Sequence, residues 1–415
     1  MKIGVVGLGY VGLPLAVAFC EAGHDVAGVD TDTRVVEALA AGRSHIEDVP
    51  DESLASIGSR LHVSTRYADL AKVDAIVVAV PTPLTRNREP DLQPLIATGT
   101  ALAGVLQEGQ LVVLESTTYP GTTRHQFVPL LEASGLAAGR DFHAAFSPER
   151  IDPGRTDFTL RTTPKVVGGL TDECRRHAVA LYQEVCDEVV EVSTPEAAEL
   201  TKLLENVFRS VNIALVNELA ILCDRMGIDI WEVIDAAATK PFGFMRFDPG
   251  PGMGGHCLPV DPFYLSWKAR EYDFYTEFIE LAGKINQSMP YFCVDKIERT
   301  LNLHGKPVNG SRVVLLGVSY KPGVADIRQS PALKILKLLG EGGADLVYHD
   351  PHVPALSEAG LRSVPLDEAL EQADLVVIVT AHKEVDYRRV VADSALVLDF
   401  RGVTREIDSA NLVRL

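Results

Sequence analysis

The sequence predicts an α/β protein in which two doubly wound parallel sheets are joined by a long central helix and a helical middle region. Three observations predict it. The opening Lys2-Ile3-Gly4-Val5-Val6-Gly7 is a buried-strand run that leads into a glycine turn, a helical stretch and a second strand ending at Asp30. The last third repeats that order, with Arg312-Val313-Val314-Leu315-Leu316-Gly317, then Leu346 to Asp350, Asp374 to Thr380, and Val397-Leu398-Asp399 as a fourth strand. Between the two, from about Ser193, apolar residues return at helical spacing. A chain of 415 residues also exceeds the roughly 250–300 at which one core divides. Domains are expected at 1-193, 194-303 and 304-415.

Composition narrows the partners. With 39 Lys and Arg against 57 Asp and Glu, the net charge is −18, which argues against nucleic acid or an anionic membrane. An anionic ligand must therefore meet a local cluster of cations. The six cysteines, Cys20, Cys174, Cys186, Cys223, Cys257 and Cys293, form no C-x-x-C pair, so neither disulfides nor a metal site is expected. Cys20 and Cys223 lie in apolar helical patterns and are expected in the core. Met1 leads straight into the first strand, so no export leader is expected, and no run of about 18 uninterrupted apolar residues occurs. A cytoplasmic location is expected.

The first turn is Gly7-Leu8-Gly9-Tyr10-Val11-Gly12, and Asp30 follows 18 residues after Gly12. Glycines at these positions allow a tight turn, close approach of a pyrophosphate and packing of helix on strand, while an acid at the end of the second strand binds a ribose hydroxyl. This predicts dinucleotide binding. The Asp30 carboxylate favours NAD, and Arg34 keeps NADP open. Further strands are expected at Asp74–Val80, closed by Pro81-Thr82-Pro83, and at Leu111–Leu114, followed by Glu115-Ser116-Thr117-Thr118. Ligands bind at the carboxyl ends of such strands, which singles out Thr82, Thr117 and Thr118. Their hydroxyls serve equally well as turn caps. Phe146 to Gly154 is too rich in proline and charge for a strand and reads as a loop.

In the helical middle, Ser193 and Glu196 mark a helix start, and Leu200, Leu203, Leu204, Val207, Val211, Leu215 and Leu219 define one apolar face. Lys202 and Asn206 are neighbours on this helix, an arrangement that in isolation is usually a solvated pair. The helix is expected to bridge domains and to serve a subunit interface. Further on, Gly252-Met253-Gly254-Gly255-His256-Cys257-Leu258-Pro259-Val260-Asp261-Pro262 places a cysteine in a glycine loop ahead of a helix, with Asp261 as cap and Pro262 at the first position. A helix N-terminus favours thiolate, so Cys257 reads either as a nucleophile or as an incidental core cysteine. The second sheet lacks the glycine fingerprint and carries Lys321, Asp326, Arg328 and Arg401 at the corresponding edge. Cations there suit a phosphate-bearing ligand other than the dinucleotide.

Taken together, the fingerprint, Pro81-Thr82-Pro83, Glu115-Ser116-Thr117-Thr118, Ser147-Pro148-Glu149-Arg150, Lys202 with Asn206, the cysteine loop and the fingerprint-free second sheet resemble the UDP-glucose/GDP-mannose dehydrogenase family over essentially the whole chain. The resemblance implies two NAD-dependent oxidations of a UDP-sugar C6 alcohol to a carboxylate. It implies that Cys257 forms a thiohemiacetal and then a thioester, that Lys202 and Asn206 stabilise the alkoxide, that Asp261 orients water or acts as base, and that Glu149 and Thr117 assist hydrolysis. It further implies cofactor contacts from Gly7, Gly9, Tyr10, Val11, Gly12, Asp30, Arg34, Pro81, Thr82, Thr117 and Arg328. Substrate contacts would come from Glu149, Arg150, Lys202, Asn206, Arg246, Gly254, Lys321 and Arg401, and the assembly would be a homodimer or larger homo-oligomer. Val260 stands where the glucose-specific branch has lysine. That departure, with Arg88-Glu89-Pro90-Asp91-Leu92, resembles the branch acting on UDP-N-acetylhexosamines and favours UDP-N-acetylglucosamine over UDP-N-acetylmannosamine. A two-electron dehydrogenase of the hydroxyacid type would share the first domain and a helix lysine but has no use for Cys257. A non-catalytic NAD-binding regulator would need the fingerprint alone.

Overall fold

The computed structural model describes residues 1–85, 89–151, 157–255 and 258–415. It divides into two units, Met1–Glu205 with Phe263–Phe274, and Asn206–Pro262 with Tyr275–Leu415.

The first unit holds an eight-stranded sheet. Its strands are β1 (Lys2–Val6), β2 (Asp25–Val29), β3 (Leu61–Ser64), β4 (Ala75–Val78), β5 (Leu111–Leu114), β6 (His143–Phe146), β7 (Lys165–Gly169) and β8 (Val189–Val192), in the order β3-β2-β1-β4-β5-β6-β7-β8. All neighbours are parallel except β6 and β7, which pair antiparallel. The parallel sheet expected from the sequence is thus present, with one reversal of direction at β6 and β7. The cause lies in the connection, because β7 returns after β6 without an intervening helix among the described residues, whereas a parallel pair needs a crossover. β6 also occupies the front of a segment read as loop, since Phe146 ends it and Ser147 begins the loop.

Both faces of this sheet are covered, as continuous apolar strands require. Ile3, Val5, Val77 and Val113 join one buried cluster with Leu13, Phe19 and Tyr182. Val6, Ile76, Val78, Val112 and Leu114 join another with Phe127 and Phe146. Successive strand residues point to opposite faces, so one run of valines feeds two cores.

The second unit holds β9 (Arg312–Leu316), β10 (Asp345–His349), β11 (Ala355–Leu356), β12 (Leu361–Arg362), β13 (Leu375–Ile378), β14 (Val397–Asp399) and β15 (Leu412–Arg414). β10-β9-β13-β14-β15 form a parallel sheet, and β11 and β12 a short antiparallel pair. Here too, Val313, Leu315 and Val377 face one cluster and Val314, Leu316 and Ile378 the other. β15 was not anticipated from the sequence; Leu412-Val413-Arg414 is too short to show a period.

The helix Pro195–Met226 begins in the first unit and continues in the second. It starts two residues later than Ser193, and the Thr194 hydroxyl accepts the Ala197 N–H at 3.2 Å. Its expected apolar face needs correcting. Leu203 is buried, but Leu200, Leu204, Leu215 and Leu219 are exposed, whereas Asn206, Ser210, Ala214, Asn217 and Ala220 are buried. Small and hydrogen-bonding residues let this helix approach its neighbours closely, and the leucines are turned out. The helix is long and apolar enough by composition to cross a membrane. It also carries Glu199, Lys202, Glu205, Arg209 and Glu218, whose charges are costly in hydrocarbon.

Candidate active site

In each sheet the switch in strand order falls beside the first strand, next to β4 in one and β13 in the other. Ligands bind at such points. Gly7 has φ +88°, and a Cβ there would overlap the Ala79 carbonyl; a Cβ on Gly12 would overlap the Gly7 carbonyl oxygen. Gly9 differs, because a Cβ there would meet nothing within 4 Å. Two glycines are thus required by the fold and one leaves room for a ligand. Tyr10 is exposed, and Val11 precedes the helix Gly12–Glu21. Asp30 accepts the Leu8 N–H at 2.8 Å through one oxygen and the Asp32 N–H at 2.9 Å through the other. A carboxylate has about four acceptor positions, so Asp30 keeps capacity for two ribose hydroxyls. Arg34 is held by Asp32 through two bonds of 3.0 and 2.7 Å. These residues fit NAD.

The second sheet repeats the frame and closes it. Gly317 has φ +80° and crowds Thr380 as Gly7 crowds Ala79. Its counterpart of Asp30 is Asp350. That carboxylate accepts from the Val318, Ser319, His352 and Val353 N–H groups and lies 3.1 Å from His382 Nε2. Buried and fully engaged, it has no position left for a ribose. His382 also accepts the Gly323 N–H and meets the Ser319 hydroxyl, which pins the Gly317–Gly323 loop that carries Lys321.

Around the first sheet, Thr82 donates to the Thr117 carbonyl at 2.7 Å, and Tyr264 donates to the carbonyl of Thr82. Pro81 is exposed beside them, and the buried Thr118 hydroxyl oxygen has no hydrogen-bond partner among the described residues. An orphaned hydroxyl at a strand's carboxyl end is a mark of a ligand or water position. Glu149 accepts the N–H groups of Arg150 and Ile151 at 2.7 and 2.6 Å and the Lys165 ammonium at 3.1 Å. Burial alone would raise its pKa, but Lys165, the Ile151 N–H and Lys202 together hold it below the usual carboxylate range. Arg150 pairs with Glu205 at 2.7 Å. Lys202 is buried, against the solvated pair that spacing suggests.

In the second unit Asn206 Nδ2 donates to Asp261 Oδ2 at 2.5 Å, and both are buried. Asp261 is itself the first residue of the helix Asp261–Ala269 rather than a residue ahead of it. Cys257 and His256 lie outside the described residues, as do Arg88 and residues 152–156. The flanks of the cysteine loop are built in detail. Asn217 accepts the Gly250 N–H at 2.9 Å and donates to Asn286 at 2.9 Å, and Asn286 donates to Met253 Sδ at 3.4 Å. Gly255 donates to the Arg328 carbonyl at 2.9 Å, and a Cβ on Gly254 would lie 2.6 Å from Tyr320 Cβ. The Gly250–Gly255 run thereby reaches from the Arg401 guanidinium, which lies against Gly250, to the loop of Lys321 and Arg328. Burial lowers the Arg401 pKa. Arg246 is engaged by Asp235 and Asp248 at 2.6 and 2.9 Å, and Arg328 by Asp326.

Three domain patterns of the UDP-glucose/GDP-mannose dehydrogenase family match this chain: the NAD binding domain over residues 1–186, the central domain over 196–288 and the UDP binding domain over 314–406. The chain belongs to the UDP-glucose/GDP-mannose dehydrogenase family. A UDP-N-acetyl-D-glucosamine 6-dehydrogenase of Pseudomonas aeruginosa is 37% identical, over 92% of this chain and 91% of that protein. A UDP-N-acetyl-D-mannosamine dehydrogenase of Pyrococcus horikoshii is 34% identical over 98% and 99%. A solved structure of UDP-D-ManNAc dehydrogenase from Pyrococcus horikoshii superposes with a TM-score of 0.92 at 33% identity, covering 100% of this chain and 99% of the other. The family member described here is accordingly an NAD-dependent oxidoreductase of the UDP-sugar dehydrogenase type. Residues that sequence reasoning missed are Lys165, Tyr182, Asn217, Asn286, Tyr264 and His382. None has a motif, because each acts through a partner remote in sequence.

Proposed function

We propose that this enzyme oxidises C6 of UDP-N-acetylglucosamine to the carboxylate in two NAD-dependent steps, working in the cytoplasm as a homodimer. The observation that carries the reading is the fixing of the described residues that flank Cys257 in sequence: Gly250 is held by the buried Asn217, itself bonded to Asn286, and Asp261 is held by Asn206. Bound NAD supplies the acceptor for hydride in both oxidations. The chain's own residues do the rest. Lys202 and the second N–H of Asn206 stabilise negative charge on the C6 oxygen as its proton passes to Asp261, directly or through water. The Cys257 thiolate adds to the aldehyde, and the resulting thiohemiacetal is oxidised to a thioester. Water then attacks the acyl carbon, the C–S bond breaks and the Cys257 thiolate is released, with Thr117 and Asp261 orienting the water and Glu149 accepting its proton. Lys321 and Arg401 hold the UDP moiety and Arg328 a phosphate, while Arg246, Arg150 and Gly254 complete the substrate contacts. The central segment 194-303 forms the dimerisation and catalytic region between domains 1-193 and 304-415.

UDP-N-acetylmannosamine is the second reading, supported by the superposition on the Pyrococcus horikoshii structure. Incubation with NAD and a panel of UDP-sugars decides: two NADH per sugar and a uronic acid are expected, fastest with UDP-N-acetylglucosamine. No turnover with any UDP-hexose or UDP-hexosamine sinks the reading. Cys257→Ser is expected to lower acid formation at least about a hundredfold.

A further inference from the structure

Behind Glu149 lies a buried ion cluster that the proposed steps do not use. Lys165, at the start of β7, is 3% exposed and reaches two carboxylates, Glu115 at 3.0 Å and Glu149 at 3.1 Å. Tyr182 donates to Glu115, and the Lys165 ammonium lies 5.1 Å from the Tyr182 ring centre. One ammonium thus serves two carboxylates in a dry interior, where an unpaired charge is costly. The acceptor positions of Glu149 can be counted. Two backbone N–H groups occupy Oε1 and Lys165 occupies one side of Oε2, so of the four positions of a carboxylate the described residues leave one, on Oε2. The Glu149 side chain keeps 13% of its surface exposed, while Glu115 keeps none. Water can reach the first and not the second.

We propose that Lys165, backed by Glu115 and Tyr182, is a positioning residue that fixes Glu149 as a carboxylate with a single open acceptor position, which aligns the water that hydrolyses the Cys257 thioester. This rests on the dehydrogenase reading above. In the step, the water oxygen bonds to the acyl carbon, the C–S bond breaks, the thiolate leaves, and one water proton passes to Glu149; nothing is oxidised or reduced. Among the described residues, the titratable and charged groups around Glu149 are Lys165, Glu115, Lys202 and Cys186, with Arg150 next to it in sequence and Tyr182 behind Glu115. Burial pushes the Glu115 carboxyl up, with Lys165 only partly offsetting it.

Two variants carry the test. Lys165→Met/Glu115→Leu removes the cluster's charge together and leaves Glu149 without its cation. Both hydride transfers are expected near the wild-type rate, giving a burst of two NADH per site, followed by turnover slowed at least about tenfold, with a sugar acyl adduct detected by intact mass. Its Glu149 pKa rises, so the acid limb of the turnover profile moves to higher pH by about one unit. Glu115→Gln frees Lys165 for Glu149 alone, so the limb is expected to move the other way. A structural role does not move it in opposite directions. The proposal is overturned if Glu115→Gln leaves the limb in place, or if the double variant, folded by melting and NAD binding, slows every step equally without adduct. Should the double variant not fold, Glu115→Gln decides. Failure of the wild type to form two NADH and a uronic acid per UDP-sugar overturns the parent reading instead, and this proposal with it.

Discussion

At the residue scale, the glycine fingerprint was legible in full because its logic is local: three positions within six residues, each with a separate steric reason. The structure divides those reasons. Gly12 has no space for a Cβ and Gly9 has nothing but space. Gly9→Ala is therefore expected to melt within about 0.5 kcal/mol of the wild type, as surface changes do, yet to bind NAD at least about tenfold more weakly, because the methyl occupies the pyrophosphate approach. Calorimetric titration with NAD checks this, and unchanged affinity would show that Gly9 does not face the cofactor. Gly12→Ala, in contrast, should destabilise the fold itself. Lys165 could not be read in the same way. Glu115, Glu149 and Tyr182 are separated from it by 50, 16 and 17 positions, and only the sheet order brings β5, β6 and β7 side by side.

At the element scale, the central helix was legible as a helix but not in its orientation. Periodicity assigns the leucine stripe inward, since burying apolar area is the usual driving force. The polar face is inside instead, because its groups find partners that sequence does not display: Asn206 on Asp261, Asn217 on Gly250 and Asn286, and Glu199 on the segment after Tyr119. Glu199 accepts the Gly121 N–H, the Thr123 N–H and the Thr123 hydroxyl at 2.6, 2.8 and 2.7 Å. Burial outweighs those donors and raises its pKa to about 7. An acid whose folded pKa lies above its unfolded value costs stability once ionised, so the wild type should lose stability as pH rises from about 4.5 to 7 through this group. Glu199→Gln does not titrate. Its destabilisation relative to the wild type is expected to be largest near pH 5 and to shrink by up to about 3 kcal/mol by pH 8, measured by urea unfolding across that range. A difference independent of pH would refute the assignment.

At the scale of the whole molecule, the internal repeat was legible because both sheets keep the strand order and the crowded first glycine, and the loss of the second dinucleotide site was legible as a missing fingerprint. The physical reason for that loss was not, since it lies in Asp350 being filled by four N–H groups and His382. The turned-out leucines bear on assembly. Leu200, Leu204, Phe208, Leu215, Leu219, Leu222 and Met226 are each at least 40% exposed, and Leu204, Leu215 and Met226 recur every 11 residues, as do Leu200, Val211 and Leu222. Eleven residues are close to three helical turns, so the stripe runs nearly along the helix axis. A continuous apolar stripe of this length is unusual on a monomer, and the charges carried by the same helix argue against lipid as its cover. A second copy of the chain presents the same straight stripe and can be self-complementary about a two-fold axis. Burying a leucine is worth about 1.5–3 kcal/mol, so Leu204→Glu/Leu215→Glu is expected to weaken self-association at least about a hundredfold, and sedimentation velocity at micromolar concentration should show a dimer for the wild type and a monomer for the variant. Because both side chains are exposed, the variant should keep its melting behaviour at low concentration and its NAD binding. A monomeric wild type, or a variant that sediments with it, would rule out this face as the interface.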